Sequence, residues 1–158
     1  MARRTKEAFL WVVKILKKHK IPFEIGGGLA ARAYGTKRRL ADIDIDLNEK
    51  GYKKIIKVIK PYIIFGPKFY KDKNWKLNLI TLKYKGQKID LAGIIHTKIF
   101  NSNKKKWIIL KSHLTHAHLK KIYGINVPIE DKKELISYKK KLDREVDKID
   151  IKQLSKNN

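Results

Sequence analysis

The chain switches between two hydrophobic periods, and the switches mark its elements. Phe9, Val12, Val13 and Leu16 recur at helical spacing, widened by Leu10 and Trp11, with Thr5 placed to cap and Glu7 in the first turn. That helix ends in KKHK before Pro22, lysines being favourable at a helix C-terminus. IPFEI then reads as a short strand, Gly26, Gly27 and Gly28 as a turn, and LAARAY as a short helix ending at Gly35. ADIDIDL changes to period two, which puts Asp42, Asp44 and Asp46 on one face of a strand. Asn48 caps the next helix, GYKKIIKVIK, with Tyr52, Ile55, Ile56 and Ile59 inward, and Pro61 stops it. YIIF predicts a strand, GPKFYKDKNW a loop, and Leu77 to Tyr84 with Lys88 to Leu91 a hairpin across KGQK. HTKIFNSNKKK reads as a polar connection, and WIIL as a strand or the start of a helical tail. From Leu114 the pattern reads as helical through LTHAHLKKIYG, EDKKELISYKKKL and REVDKIDIKQL, with Pro128 separating the first from the second. The expected fold class is α+β, a small mixed β-sheet flanked by helices with a C-terminal helical tail. Residues 1–110 would form the core and 111–158 an extension packed on it, as one domain overall.

Composition adds constraints. At 158 residues the chain is long enough to bury a core without staples. It has no cysteine, which removes disulfides, thiolate metal sites and cysteine nucleophiles and fits a cytoplasmic protein. No apolar run reaches the roughly 20 residues of a membrane span. Lys and Arg number 39 against 15 Asp and Glu, a net charge of +24, which favours a polyanionic partner. The surplus is one-sided: no acid occurs between Leu91 and Ile129, where Lys104, Lys105, Lys106, Lys120 and Lys121 make candidate nucleic-acid contacts. Genome composition or a hot habitat would also enrich lysine, but neither explains that asymmetry. His113, His116 and His118 lack both an HExxH frame and a carboxylate nearby in sequence, so SHLTHAH is read as a surface or contact segment.

Against that background the acids stand out. Carboxylates two residues apart on a strand are about 7 Å apart at Cα, close enough to share divalent ions. Held together without cations they repel, so their concentration in so basic a chain points to Mg²⁺ or Mn²⁺. The preceding glycines let backbone amides approach a phosphate, although neither a P-loop nor a GxGxxG spacing is present. Asp90 is an acid between Ile89 and Leu91, in an otherwise apolar strand. Asp72, in a lysine-rich loop, is the weaker third acid.

Gly27-Gly28, thirteen intervening residues and Asp42-Ile43-Asp44 resemble the signature of the DNA polymerase β-like nucleotidyltransferase superfamily. GGLAARAYGTKRRLADID is similar, more narrowly, to the small group containing AbiEii-type and MenT-like toxins and some antibiotic-modifying enzymes. That group writes GG-x-A, then G-x-x-R-x-T-x-D-h-D. Gly35, Arg38, Asp42 and Asp44 fit, whereas Leu40 stands where threonine is usual. The tail is similar to the group's E-D-L-h-x-x-K and R-x-x-D-x-x-D helices, with Lys139, Arg144, Asp147 and Asp150 in register.

The resemblance implies transfer of a nucleoside monophosphate from an NTP to a hydroxyl, with release of pyrophosphate. Asp42, Asp44 and Asp90 would be catalytic and would hold two Mg²⁺ (or Mn²⁺) ions; Gly27, Gly28, Arg38, Lys139 and Arg144 would bind the nucleotide. With the charge, it favours an RNA acceptor such as a tRNA 3′ end, and an antitoxin as a possible partner. The alternatives are a small antibiotic-type molecule or a protein as acceptor, or a non-catalytic RNA-binding module on the same fold.

Overall fold

A computed structural model describes residues 2–112 and 114–156. Helix α1 (Ala2–Lys18) buries Ala8, Phe9, Val12, Val13 and Leu16 as its spacing predicts. It begins earlier than expected, so Thr5 is not a cap. Thr5 lies inside the helix, buried, and donates to Gln87 Oε1 at 2.9 Å. After β1 (Phe23–Ile25) come α2 (Gly27–Ala33), β2 (Asp42–Leu47), α3 (Tyr52–Ile59), β3 (Ile63–Lys71), β4 (Trp75–Tyr84) and β5 (Gln87–Gly93). The chain continues through β6 (Lys98–Asn101), β7 (Lys106–Ile109), β8 (His118–Ile122), β9 (Ile125–Ile129), α4 (Lys132–Leu142) and α5 (Glu145–Lys156).

The nine strands of the described residues make one mixed sheet in the order β7-β6-β4-β5-β2-β1-β9-β8, with β3 on the other side of β4. Alternation decides its faces. Ile43, Ile45 and Leu47 of β2 and Ile89 and Leu91 of β5 join the core with α1, while the aspartates between them point to the opposite side. The helical tail, α4 and α5, packs on α2. The observed architecture is therefore the expected α+β sheet flanked by helices.

Three segments differ from the expectation. Residues of GPKFYKDKNW up to Lys71 extend β3, because the long β4 offers backbone partners; the pairing accommodates Gly66-Pro67 by register shifts. KIFN and KWII pair as the β6–β7 hairpin, with Phe100 opposite Trp107. LTHAHLKKIYG is not helical: Leu114–His116 is a single 3₁₀ turn, and β8 and β9 form a hairpin. Tyr123 and Gly124, at φ 49° and 87°, turn that hairpin. Val127 and Ile129 alternate inward, and β9 docks parallel to β1. The sheet thus continues past residue 110, and the helical tail begins only at Lys132.

Candidate active site

Three carboxylates converge because two neighbouring strands run in the same direction. β2 and β5 pair in parallel with Asp44 beside Asp90 and Asp42 beside Lys88. One oxygen from each of Asp42, Asp44 and Asp90 lies within 4.8 Å of the others, the only such group of three among the described residues. Burial, then Asp90, raises the Asp42 carboxyl above its ordinary range. Asp44 is raised further, by burial first and then by Asp42 and Asp90. Thr81 Oγ1 donates to Asp90 Oδ1 at 2.6 Å and fixes that carboxylate. Lys88 Nζ stands 3.4 Å from Asp90 Oδ2 and 3.9 Å from Asp42 Oδ2.

The glycine turn is pressed against these acids. Gly26 N–H donates to the Asp44 carbonyl at 3.0 Å, locking the turn to β2. Gly27 is left-handed, φ +55°, and a Cβ there would run into the Asp44 carboxylate. A Cβ on Gly28 would come within 2.8 Å of Arg38 Nη2 and 2.9 Å of Leu40 Cδ2. Leu40, where threonine is usual, is buried against this glycine.

Arg38 opens a charge network behind the turn. Its Nε and Nη2 donate to the two oxygens of Asp150, each at 3.0 Å. Lys139 Nζ lies 3.0 Å from Asp150 and 3.6 Å from Asp147, with its side chain only 1 % exposed. Arg144 donates twice to Asp147, at 2.7 and 2.9 Å, and its guanidinium stacks over Trp75. Burial raises the Asp150 carboxyl, but bonds from Arg38 and Lys139 outweigh it and hold the group below its usual range. Three cations against two anions leave one positive charge in the network, and the Lys139 ammonium acts on Asp44 across the site. Asp72 stands outside the site and shapes the β3–β4 turn, accepting from Tyr70 Oη, Asn74 N and Trp75 N.

Beyond Asp44 the acid row continues. Asp46 pairs across the strands with Glu24 on β1, and Glu130 follows β9 on the same side. The period of two places Asp46 on the face of Asp42 and Asp44, as an accessory acid or a plain surface residue, and the sequence pattern gives Glu24 and Glu130 no role. The signal for Glu24 was present, since it too is a lone acid between apolar residues, Phe23 and Ile25. Burial, then Asp46, pushes the Glu24 carboxyl from 4.5 up to about 8. A proton retained in the folded state but lost in the unfolded chain makes stability fall as pH rises between those values. The melting temperature of the metal-free protein is thus expected to decline from pH 4.5 to about 8. Glu24→Gln should flatten that decline, measured by thermal unfolding at fixed ionic strength.

The remaining candidates lie apart. Lys104 and Lys105 occupy the β6–β7 turn with Lys106 starting β7, whereas Lys120 and Lys121 are on β8, so the two groups fall at opposite ends of the sheet order. Lys120 Nζ sits 4.8 Å from the centre of the Tyr34 ring. His116 and His118 meet Glu134 and Asp131 at 2.7 and 2.8 Å, which ties the β8 hairpin to the start of α4; His113 lies outside the described residues.

The chain shares the fold of solved nucleotidyltransferases. A provisionally assigned nucleotidyltransferase of Thermotoga maritima superposes with a TM-score of 0.69 at 17% identity, over 96% of this chain and 95% of that one. The lincosamide antibiotic adenylyltransferase LnuA, lincomycin-bound, gives 0.65 at 16% identity, over 96% and 97%. The enzyme ANT(2″)-Ia in complex with adenylyl-2″-tobramycin gives 0.62 at 13% identity, over 96% and 87%. No protein-family profile matches the sequence, and neither does any curated protein. No described helix is long and apolar enough to cross a membrane.

Proposed function

We propose that this chain is a metal-dependent nucleotidyltransferase that moves a nucleoside monophosphate from an NTP to a hydroxyl and releases pyrophosphate. The observation that carries the reading is the register of β2 and β5, which brings Asp42, Asp44 and Asp90 together beside the glycine turn. The donors fit divalent cations. They are all carboxylate oxygens, two of them are raised in pKa by burial and mutual repulsion, and an ammonium, Lys88, already leans on two of them. Two unit charges 4.8 Å apart repel by about 3 kcal/mol at an effective dielectric of about 20, so an ionised triad needs added positive charge. Two Mg²⁺ or Mn²⁺ ions bound there would supply Lewis-acid activation of the hydroxyl and charge neutralisation of the triphosphate.

The chain's own residues divide the remaining work. Asp42, Asp44 and Asp90 would hold the ions. The hydroxyl oxygen bonds to the α-phosphorus, the bond to the bridging oxygen breaks, and Asp90, oriented by Thr81, takes the hydroxyl proton. Gly27 and Gly28 let the backbone of the turn sit directly against Asp44 and Arg38, where a Cβ would clash, and so bring its amides up to the triad. Arg38, anchored on Asp150, faces Gly28 and adds positive charge beside the phosphates. Arg144 lies next to it, and Lys139 holds both anchoring aspartates and supplies its field from beneath.

Two acceptor classes have specific support. The net charge of +24 and the acid-free stretch favour RNA, as for the AbiEii-type and MenT-like enzymes the motif resembles. The acid row beside the triad favours a small hydroxyl compound. Incubation with labelled NTPs, Mg²⁺, total tRNA and a panel of small polyols tests both. Label is expected on one acceptor class and should vanish with EDTA. No transfer together with no Mg²⁺-dependent NTP binding by calorimetry would overturn the reading.

A further inference from the structure

The sheet carries a second surface, on the side away from the triad. Thr81 bonds to Asp90, so Trp75, an even number of residues away on β4, faces the acids and Lys76 faces the other way. There Lys76 stands between Lys71 of β3 and Lys98 of β6, in register with both. Neighbouring strands lie only about 5 Å apart, and like charges set directly opposite each other destabilise a sheet. Desolvation first, then Lys71 and Lys98, lowers the Lys76 ammonium below its ordinary range. None of the three lysines makes an ion pair among the described residues. A row of charge kept at a cost to the sheet calls for something that neutralises it.

Rings lie among these charges. Lys98 pairs with Ile109 and Phe100 with Trp107, so all four share the face of Lys76. Phe100 and Trp107 meet edge to face at 5.6 Å, and the Lys76 ammonium sits 4.1 Å from the centre of the Trp107 ring. Phe69, on the face of Lys71, is 58 % exposed, and Ile109 is 65 % exposed. Lys104 and Lys105, in the β6–β7 turn, carry positive charge past the rings. A row of ammonium groups fits a chain of phosphates, and rings between them fit flat bases. A phosphate that draws the Lys76 ammonium away uncovers the Trp107 ring for a base, so one ligand uses both features. Duplexes hide their base faces, and RNA, unlike duplex DNA, presents unpaired loops and ends. An anionic bilayer would answer the charge but leave the half-buried Trp107 ring beneath Lys76 without a part.

We infer that the row Lys71–Lys76–Lys98, with Trp107 and Phe100, is a docking surface for single-stranded RNA on the face opposite the triad. Binding there needs neither NTP nor metal, so the inference does not depend on the transferase reading. A strand held on this face lies outside the reaction centre, which makes the surface an anchor for RNA and not the place where a hydroxyl reacts.

Fluorescence anisotropy with a short, labelled, unstructured RNA, in EDTA and without NTP, measures the docking. Trp107→Leu should weaken binding at least about fivefold, the low end for one base stacked on one ring, while Trp107→Phe keeps most of it. Affinity for inorganic polyphosphate, which has the charge but no bases, should be the same in both variants and the wild type. Changing Lys71, Lys76 and Lys98 together to Gln should flatten the dependence of log affinity on log salt by about 2, at about 0.7 per lysine. That triple variant should melt no lower than the wild type, because it removes repulsion. The same change at Lys6, Lys14 and Lys18, exposed on α1, should leave the slope nearly unaltered. Asp44→Asn should bind RNA as the wild type does, so a failure of the transferase reading leaves this test standing. Equal RNA affinity in Trp107→Leu and the wild type, a matching loss of polyphosphate binding, or a slope unmoved by the triple variant would overturn the surface. Binding of phosphatidylserine vesicles that Trp107→Leu abolishes while RNA binding persists would overturn it too.

Discussion

Asp44→Asn is expected to lower nucleotidyl transfer by at least about a thousandfold while raising the melting temperature of the metal-free protein. The two effects have one cause. Asp44 is the triad member that burial, Asp42 and Asp90 together hold furthest above its ordinary range. Removing its charge relieves that repulsion without changing the shape of the side chain. On the proposed reading the same removal would take one ligand from the ions, and loss of such electrostatic stabilisation typically costs about a hundred- to a thousandfold or more in rate. Added Mg²⁺ should raise the melting temperature of the wild type and shift the variant much less. Paired transfer assays and melting curves, each with and without Mg²⁺, check the claim. A variant that transfers at the wild-type rate, or whose Mg²⁺-induced shift equals the wild type's, would remove Asp44 from the site.

Lys139→Met should destabilise the fold by about 3 kcal/mol or more, the cost of removing one partner from a buried ion group. The side chains of Asp147 and Asp150 are fully buried, and Lys139 touches both. Arg38 and Arg144 each still hold one of them, which keeps the loss toward the lower end of the usual range. Urea unfolding with an unchanged m-value would report it. Activity should fall too, because Arg38 is aimed past Gly28 by the same aspartate that Lys139 neutralises. A surface lysine on the same helix, Lys140, offers the control: Lys140→Met should change stability by no more than about 0.5 kcal/mol.

The site was more legible in the sequence than the sheet that carries it. Asp42 and Asp44 announce themselves because a strand shows its faces at period two, and Asp90 because an acid rarely sits between apolar strand residues. The β8–β9 hairpin was hidden for a physical reason. Its decisive partner, β1, lies about a hundred residues earlier, and HLKKI carries no alternation, with Leu119 exposed and Ile122 buried. Only Tyr123-Gly124 and the alternating INVPI pointed to strands. The tail motif singles out Lys139, but its burial is masked by its neighbours, Lys140 and Lys141. Its spacing from Leu135 and Leu142 puts it on the buried stripe of α4, and reading that stripe before the charge would have found it.

The parallel pairing of β2 with β5 also acts as an all-or-none checkpoint on folding. A slip of one residue would bring Ile89 or Leu91 to the face of the acid triad and drive Asp90 into the apolar layer beneath. The core and the acid triad would be lost in the same event. A misassembled chain therefore has no half-active form, and the fraction of molecules able to bind divalent ions at the triad should equal the fraction correctly folded.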